Sequence, residues 1–344
     1  MRLGLFLNFE HEDGESNLFC FHRTMDLAIR AEDDGLDELW VSEHHFTPFT
    51  QSGSILPLLA YLAGRTRRIR IGSAAILIPL HDPVRVAEDL ATIDILSRGR
   101  LDVGLARGGP FPSQYAHFHV APETARDQAG EATEFLARLL AETEMTFHGR
   151  WYKSEALTVY PRPLQKSLPI WIASTTKEAV EAAAARRFGL MAGHATTLAE
   201  IEDRRARYKA AGEGSEPDIV VLRTACVADT DAEALRAAKP AMERFFTEMR
   251  RHANPAAPPQ PVSIDKALAT AIIGSPETCR EKLAKLSAVL PRGSVGLKVA
   301  CTDVSMAGEV ISRFRREVLP APQDSPLDES DSHGAASLGP VQPI

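Results

Sequence analysis

The amino-acid sequence predicts an α/β fold, a (β/α)8 TIM barrel with insertions after strands 4 and 7. Eight strand-like segments run along the chain of 344 residues, and helix-like segments separate most of them. The competing fold, a doubly wound open sheet, usually has fewer strands and a glycine-rich first turn. The first strand–helix connection here, from Asn8 to Cys20, contains only Gly14. The barrel is therefore favoured, and its usual length of about 250 residues leaves room for insertions.

The predicted strands are short apolar runs of the kind that is buried in a parallel sheet. Leu39-Trp40-Val41 in the second strand and Ile170-Trp171-Ile172 in the fifth are examples. In chain order, the predicted strands cover residues 2–8, 38–42, 68–75, 101–106, 169–173, 190–193, 218–227 and 295–300.

The predicted helices alternate with these strands. The third has a clear start, because Asp82 can cap it and Pro83 occupies its first position. The segments predicted to be helical are 21–34, 55–64, 83–97, 129–140, an alanine-rich helix that ends at residue 187, 198–211, 232–250, 276–290 and 307–318. Residues 107–120 form a longer excursion after strand 4, and residues 145–160 resemble a small β-structure.

Composition and charge exclude several classes of function. The net charge of −7 argues against nucleic acid as the main partner, since phosphate binding requires a basic face. No apolar run approaches the roughly 20 residues that cross a bilayer, and the N-terminus has no cleavable signal. Four scattered cysteines show neither disulfide nor zinc spacing. We therefore expect a cytoplasmic protein without nucleic-acid or membrane partners.

The chain changes character near its C-terminus. Residues 321–344 contain four acidic residues, repeated proline and serine, and neither lysine nor arginine. We expect residues 1–319 to form the barrel domain and residues 320–344 to be a disordered acidic tail.

A histidine pair follows the second predicted strand, in the segment Glu43-His44-His45-Phe46. In a parallel barrel, this end of the strands carries the catalytic groups. One histidine could be structural and the other solvated, but imidazole also suits acid–base chemistry near neutral pH. A metal site is not predicted, because adjacent histidines point in different directions and no third ligand has recognisable spacing. His81, His117, His119 and His148 remain residues that the fold could bring together.

Three further segments follow predicted strands at the same rim. Ala74 and Ala75 end the third strand in small side chains, which suits either tight packing or a flat ligand against the backbone. Arg107 lies beside two glycines after the fourth strand, and Arg126 could add a second charge near an anion. After the fifth strand, the 174–176 segment (Ser174, Thr175 and Thr176) can cap a helix and cradle a phosphate.

These residues resemble the bacterial luciferase family of flavin-dependent monooxygenases. The resemblance rests on the Glu43-His44-His45-Phe46 segment and on Gly72-Ser73-Ala74-Ala75-Ile76. It also rests on His81-Asp82-Pro83-Val84-Arg85 and on Ser97-Arg98-Gly99-Arg100, in the same order over residues 1–130. It continues more loosely over residues 170–318.

The resemblance implies a (β/α)8 barrel that binds reduced FMN from a separate flavin reductase and uses O2, through a flavin peroxide, to oxygenate a small organic metabolite. It makes His44 the essential histidine, a general base or a group that steers the peroxide, and leaves the role of His45 open. Ala74-Ala75 would be a non-proline cis peptide under the flavin ring, with Phe6 near the ring. Arg107, Arg126 and the 174–176 segment would hold the phosphate, and residues 249–272 would form a mobile lid.

Two departures from the luciferase pattern argue against light emission. The reactive cysteine of the light-emitting enzymes is replaced by Ala106, and an aromatic residue on the sixth strand by Gly193-His194. Two alternatives remain, a deazaflavin-dependent hydride-transfer enzyme on the same barrel and a non-catalytic flavin-binding subunit. The resemblance also implies a homodimer through the helices at 55–64 and 83–97.

Overall fold

In the computed structural model, eight parallel strands close into a barrel within the described residues, which are 1–109, 111–252, 263–301 and 303–319. Each strand pairs with its neighbours in chain order, and the last returns to the first, with Leu3 opposite Val295. The predicted fold class is confirmed. The strands are β1 (Arg2–Leu7), β2 (Glu38–Val41), β3 (Arg70–Ser73), β4 (Leu101–Ala106), β5 (Ile170–Ala173), β6 (Gly189–Ala192), β7 (Ile219–Val227) and β8 (Gly293–Val299).

The helices surround the barrel and pack their apolar faces on it. Asp82 caps the third helix as predicted, since its side chain accepts hydrogen bonds from the backbone N–H groups of Val84 and Arg85 at 2.8 and 3.2 Å. The helices are α1 (Asn17–Asp33), α2 (Ile55–Arg65), α3 (Pro83–Leu96), α4 (Pro112–His117), α5 (Ala125–Ala141), α6 (Lys177–Ala185), α7 (Leu198–Ala211), α8 (Asp231–His252), α9 (Ile264–Thr270), α10 (Pro276–Val289) and α11 (Ala307–Arg313), which a π-helical turn (Phe314–Val318) extends.

Both predicted insertions are present. The one after β4 contains α4, α5 and an antiparallel hairpin of Met145–His148 with Lys153–Leu157. After β7, α8 leads to α9 and to a short strand, Ile272–Gly274, that pairs with β7. Residues 253–262 of the predicted lid and the predicted tail at 320–344 lie outside the described residues.

The third strand is shorter than predicted. It ends at Ser73 rather than at residue 75, because the chain leaves the ladder at a cis peptide bond between Ala74 and Ala75. Ile76–Leu77 then rejoins the sheet by pairing with β4. The small residues therefore lie at the rim, outside regular secondary structure.

Glycines make room for two tryptophans inside the barrel. Trp40 and Trp171 meet edge to face at 5.5 Å between ring centroids. A Cβ added at Gly72 would lie 2.4 Å from a ring carbon of Trp40. Both rings belong to a buried cluster inside the barrel, on which Ala74, Ala106 and Ala173 pack. None of the helices in the described ranges is both long and apolar enough to cross a membrane.

Candidate active site

A cavity of about 660 Å³ opens at the C-terminal ends of the barrel strands. We call it the central cavity. It brings together eight of the ten site residues predicted from the sequence, contributed by the segments that follow β2, β3, β4 and β5. They are His44, Ala74, Ala75, Arg107, Arg126, Ser174, Thr175 and Thr176.

The other two predicted site residues lie beside this cavity rather than on its wall. His45 lines a separate, more open cavity together with His81 and Phe118. Phe6 points into the barrel, with its ring 5.3 Å from that of His194. His44 also lines the more open cavity, so the two adjacent histidines share it, and His44 alone of the pair faces the central cavity as well.

His44 is held in its neutral form. Burial lowers the pKa of its imidazole to about 4, and the nearby charge of Glu10 only partly opposes this effect. At neutral pH the ring can accept a proton or a hydrogen bond without carrying a charge. The phenyl ring of Phe111, from the β4 insertion, lies edge to face with it at 6.5 Å between ring centroids. This environment suits a base or a hydrogen-bonding group in a dry site.

Glu43 ties the loop that carries His44 to the loop after β3. One carboxylate oxygen, Oε1, is 2.6 Å from Nε2 of His45 and 2.7 Å from Nε2 of His81. The other accepts a hydrogen bond from the backbone N–H of Leu77 at 2.9 Å. Burial alone would raise the pKa of Glu43, but the hydrogen bonds from both histidines and Leu77 lower it overall. A buried carboxylate with this many donors is a rigid anchor.

The same three side chains are spaced as metal ligands would be. One ligand atom each from Glu43, His45 and His81 lies within 4.8 Å of the others. Sequence spacing gave no sign of this group, because His81 is far from the histidine pair along the chain. Both histidines already hydrogen bond to Glu43, so these ring nitrogens and the carboxylate have partners without an ion. The absence of a metal stays a prediction.

Small side chains form one wall of the central cavity. The Ala74–Ala75 peptide bond is cis, as predicted. Ala106 at the end of β4 and Ala173 at the end of β5 line the cavity beside it. With only methyl groups on this wall, a flat ring can approach the backbone closely. Ala106 occupies the position where the sequence comparison placed the cysteine of light-emitting enzymes.

The opposite end of the cavity is cationic and rich in hydrogen-bond donors. Arg107 and Arg126, which we call the arginine rim, make no side-chain hydrogen bond or ion pair with any described residue. Thr176 caps α6, and its hydroxyl accepts a hydrogen bond from the backbone N–H of Ala179 at 3.3 Å. Free guanidinium groups beside a helix N-terminus form an anion-binding arrangement.

Arg204 is a charged cavity residue that sequence reasoning missed. It lies within α7 and lines the central cavity with Thr176 and Gly193. No motif marks it, because it stands in the charged run Asp203-Arg204-Arg205, which is typical of a solvated helix face. Only the packing of α7 against α6 shows that it turns inward.

Comparison with known proteins agrees with this geometry. Residues 1–292 match the family model of the luciferase-like monooxygenases. The chain belongs to this family. Among its relatives is the oxygenase component of flavin-dependent trigonelline monooxygenase from Acinetobacter baylyi, 27% identical over 251 residues, or 69% of this chain and 68% of the relative. The protein is therefore a luciferase-like monooxygenase, an oxidoreductase.

Solved structures share the fold. The monooxygenase RslO1 from Streptomyces bottropensis superposes with a TM-score of 0.85 at 24% identity, covering 93% of this chain and 99% of that one. The oxygenating constituent of 3,6-diketocamphane monooxygenase from Pseudomonas putida, in complex with FMN, superposes with a TM-score of 0.75 at 19% identity. The match covers 92% of this chain and 98% of that one. An F420-dependent secondary alcohol dehydrogenase superposes with a TM-score of 0.74 at 17% identity, covering 93% of this chain and 99% of that one. Proteins that share this fold were thus solved with FMN and with an F420 adduct.

Proposed function

We propose that this protein is the oxygenase of a two-component system, which takes reduced FMN from a separate flavin reductase and uses O2 to oxygenate a small organic metabolite. One observation carries the proposal. The central cavity joins a neutral His44, a wall of small residues and the free arginine rim in a single space. Its volume of about 660 Å³ lies within the roughly 300–1,000 Å³ typical of small-molecule sites.

The residues present fit reduced FMN. The wall around Ala74 and Ala75 accepts a flat ring, and the arginine rim with the 174–176 segment suits a phosphate dianion. Once bound there, reduced FMN supplies the electrons that activate O2. The cofactor's phosphate would neutralise the guanidinium charges that lack a partner among the described residues.

The chain's own residues would bind, orient and protect the reacting groups. His44 would act from its neutral imidazole as a base or hydrogen-bond partner, while Glu43 fixes the loop that carries it. Phe111, beside the imidazole, would help to exclude water, which would strengthen the polar interactions inside the cavity. His45 would act through Glu43 rather than on substrate, since it lies outside the central cavity.

Relatives support the finer parts of the proposal. The trigonelline enzyme is named as flavin-dependent and as an oxygenase component, which agrees with a separate reductase. The diketocamphane enzyme was solved with FMN. Ala106 at the cavity wall agrees with a reaction without light emission. Exposed apolar side chains on α2 and α3 (Tyr61, Ile95 and Leu96) agree with the homodimer that the resemblance implies.

A deazaflavin-dependent hydride transfer is the second candidate, because an F420-dependent dehydrogenase shares the fold. A non-catalytic flavin-binding subunit is disfavoured, since His44 lines the cavity with a strongly lowered pKa, and strongly shifted pKa values are typical of functional sites. Anaerobic titration with reduced FMN and with a reduced deazaflavin cofactor separates the candidates. We expect reduced FMN to bind at least about tenfold more tightly, a difference of about 1.4 kcal/mol. Tighter binding of the deazaflavin would contradict the FMN proposal.

A further inference from the structure

Arg204 is a cationic side chain turned toward the central cavity. It is the seventh residue of α7, the helix that follows β6. Helical side chains lean toward the N-terminus of their helix, which here means toward the barrel rim. Arg204 accordingly lines the cavity with Thr176 of the 174–176 segment and Gly193 at the end of β6.

No described residue provides a counter-charge in contact with Arg204. Its Nη1 is inaccessible to solvent and has no hydrogen-bond partner. Two acidic residues of α7 lie near Arg204, but their carboxylates contact other partners. Glu200 accepts hydrogen bonds from Lys266 at 2.8 Å and from the N–H of Thr197 at 2.7 Å, and Asp203 pairs with Arg207 at 2.9 Å.

Such a group is costly unless it meets an anion. Burial lowers the pKa of the Arg204 guanidinium, and the nearby charges of Glu200 and Asp203 only partly oppose this effect. Arginine nonetheless stays protonated at neutral pH, so the charge itself remains. A half-buried charge without a contacting counter-charge costs stability, and a ligand that supplies the opposite charge reduces this cost.

We propose that Arg204 binds the terminal phosphate of the cofactor, on the side opposite the arginine rim. This inference rests on the proposed function, in that a phosphorylated cofactor occupies the central cavity. Three neighbouring strands set the arrangement. Arg107 follows β4, the 174–176 segment follows β5, and Arg204 belongs to the helix after β6. A phosphate on the N-terminus of α6 therefore has a guanidinium group available from each flank.

Phosphate fits this position better than a carboxylate. It offers three acceptor oxygens and up to two negative charges, which match guanidinium groups on two flanks and hydroxyl and N–H donors between them. The planar guanidinium can donate two parallel hydrogen bonds to one phosphate. Arg204 would thus contribute to the preference for a phosphorylated flavin over the unphosphorylated one.

The test compares FMN with riboflavin, which differ only in the phosphate. Arg204→Gln removes the charge. Arg204→Lys keeps the charge but not the planar group that donates two parallel hydrogen bonds, and Arg205→Gln is the matched control. Arg205 is the next residue of the same helix, bonds to Glu216 and does not line the cavity. Dissociation constants are measured by quenching of flavin fluorescence, and thermal unfolding is followed with and without inorganic phosphate.

For Arg204→Gln we expect FMN to bind at least about tenfold more weakly, as for the loss of a charged hydrogen bond. Riboflavin affinity should stay unchanged. The FMN affinity of Arg204→Lys should lie between those of the wild type and Arg204→Gln. Without ligand, Arg204→Gln should unfold at a temperature equal to or above that of the wild type, because a half-buried charge that contacts no counter-charge is gone. The stabilisation by phosphate should shrink in this variant and persist in Arg205→Gln.

Unchanged FMN affinity in Arg204→Gln would overturn the inference, as would an equal loss of FMN and riboflavin affinity. A lower unfolding temperature without ligand would indicate a structural role instead. If the wild-type protein prefers a deazaflavin cofactor, the FMN proposal fails by itself. The affinities of wild type and Arg204→Gln are then measured for the deazaflavin cofactor with and without its phosphate. Equal affinities of the two proteins for the phosphorylated form would overturn the inference.

Discussion

His44 is the residue on which the proposed chemistry depends. Its imidazole is neutral at pH 7, with a pKa of about 4, and it faces the central cavity. We predict that His44→Gln leaves the affinity for reduced FMN nearly unchanged, because the phosphate-binding residues are untouched. Product formation should fall by about 100-fold or more, the range for a lost general base. Oxygen consumption with release of hydrogen peroxide, measured beside product yield, checks this prediction, and wild-type yield would contradict it.

Arg107 should contribute to binding rather than to the chemical step. Its guanidinium lines the cavity without an ion pair to any described residue. Arg107→Ala should weaken the binding of reduced FMN by about 1.5–3 kcal/mol, as for the loss of a charged hydrogen bond. Arg85→Ala is a suitable control, since Arg85 is an exposed residue of α3 paired with Glu88. Equal dissociation constants for Arg107→Ala and the control would rule out the phosphate contact.

The sequence alone identifies the cavity residues that lie in or next to strand ends. His44, Ala74, Ala75 and Arg107 were predicted because strand ends share one rim in a parallel barrel. The cavity position of Arg204 and the contact between Glu43 and His81 were not predicted. Arg204 belongs to a helix, and His81 lies far from Glu43 in the sequence, so only the packing of the fold brings each into place. That His44 alone of the pair lines the central cavity was not predicted, and the role of His45 stays open. Neighbouring residues in a loop can face different cavities, and sequence does not reveal their direction.

At the scale of the secondary-structure elements, the barrel depends on close contact between glycines and tryptophans. A Cβ at Gly72 of β3 would lie 2.4 Å from the ring of Trp40. Gly72→Ala should therefore lower the free energy of unfolding by about 1–3 kcal/mol, the usual cost of overpacking. Gly64→Ala in α2 is the matched control, because no atom lies within 4 Å of its added Cβ. Urea unfolding of both variants checks this, and equal stabilities would contradict it.

Element types were predicted better than element ends. Apolar runs separated by capped helices determine the order of the barrel, which is why all eight strands were anticipated. The end of β3 was placed too late, because the cis bond at Ala74 and Ala75 turns the chain out of the ladder without any local strand-breaking residue. The short strand Ile272–Gly274 was missed, since it is defined by pairing with β7 and not by its own pattern.

At the scale of the whole molecule, stability should depend on buried histidines. Folding lowers the pKa of His44 to about 4 and that of His194 to about 3, in both cases mainly through burial. Between these values and the unfolded value near 6.5, the unfolded chain binds more protons, so stability falls as the pH drops. Burial of Asp102 raises its pKa to about 6, which opposes this trend over part of the same range.

His194→Phe isolates the histidine contribution. Its ring packs between those of Phe6 and Phe245, so phenylalanine keeps the aromatic contacts and removes the titrating group. We predict that the variant loses less stability than the wild type between pH 7 and about pH 5. Urea unfolding at the two pH values measures the difference. An equal or larger loss in the variant would show that His194 is not held neutral by the fold.

Oxygen reactivity of the bound cofactor tests the proposed function most directly. The protein would be loaded with reduced FMN without air, mixed rapidly with buffer that contains O2, and followed by flavin absorbance. A dry cavity that controls the reaction should make flavin reoxidation slower than that of free reduced FMN, and His44→Gln should alter its time course. Reoxidation identical to that of the free cofactor, in the wild type and the variant alike, would contradict a monooxygenase that uses reduced FMN.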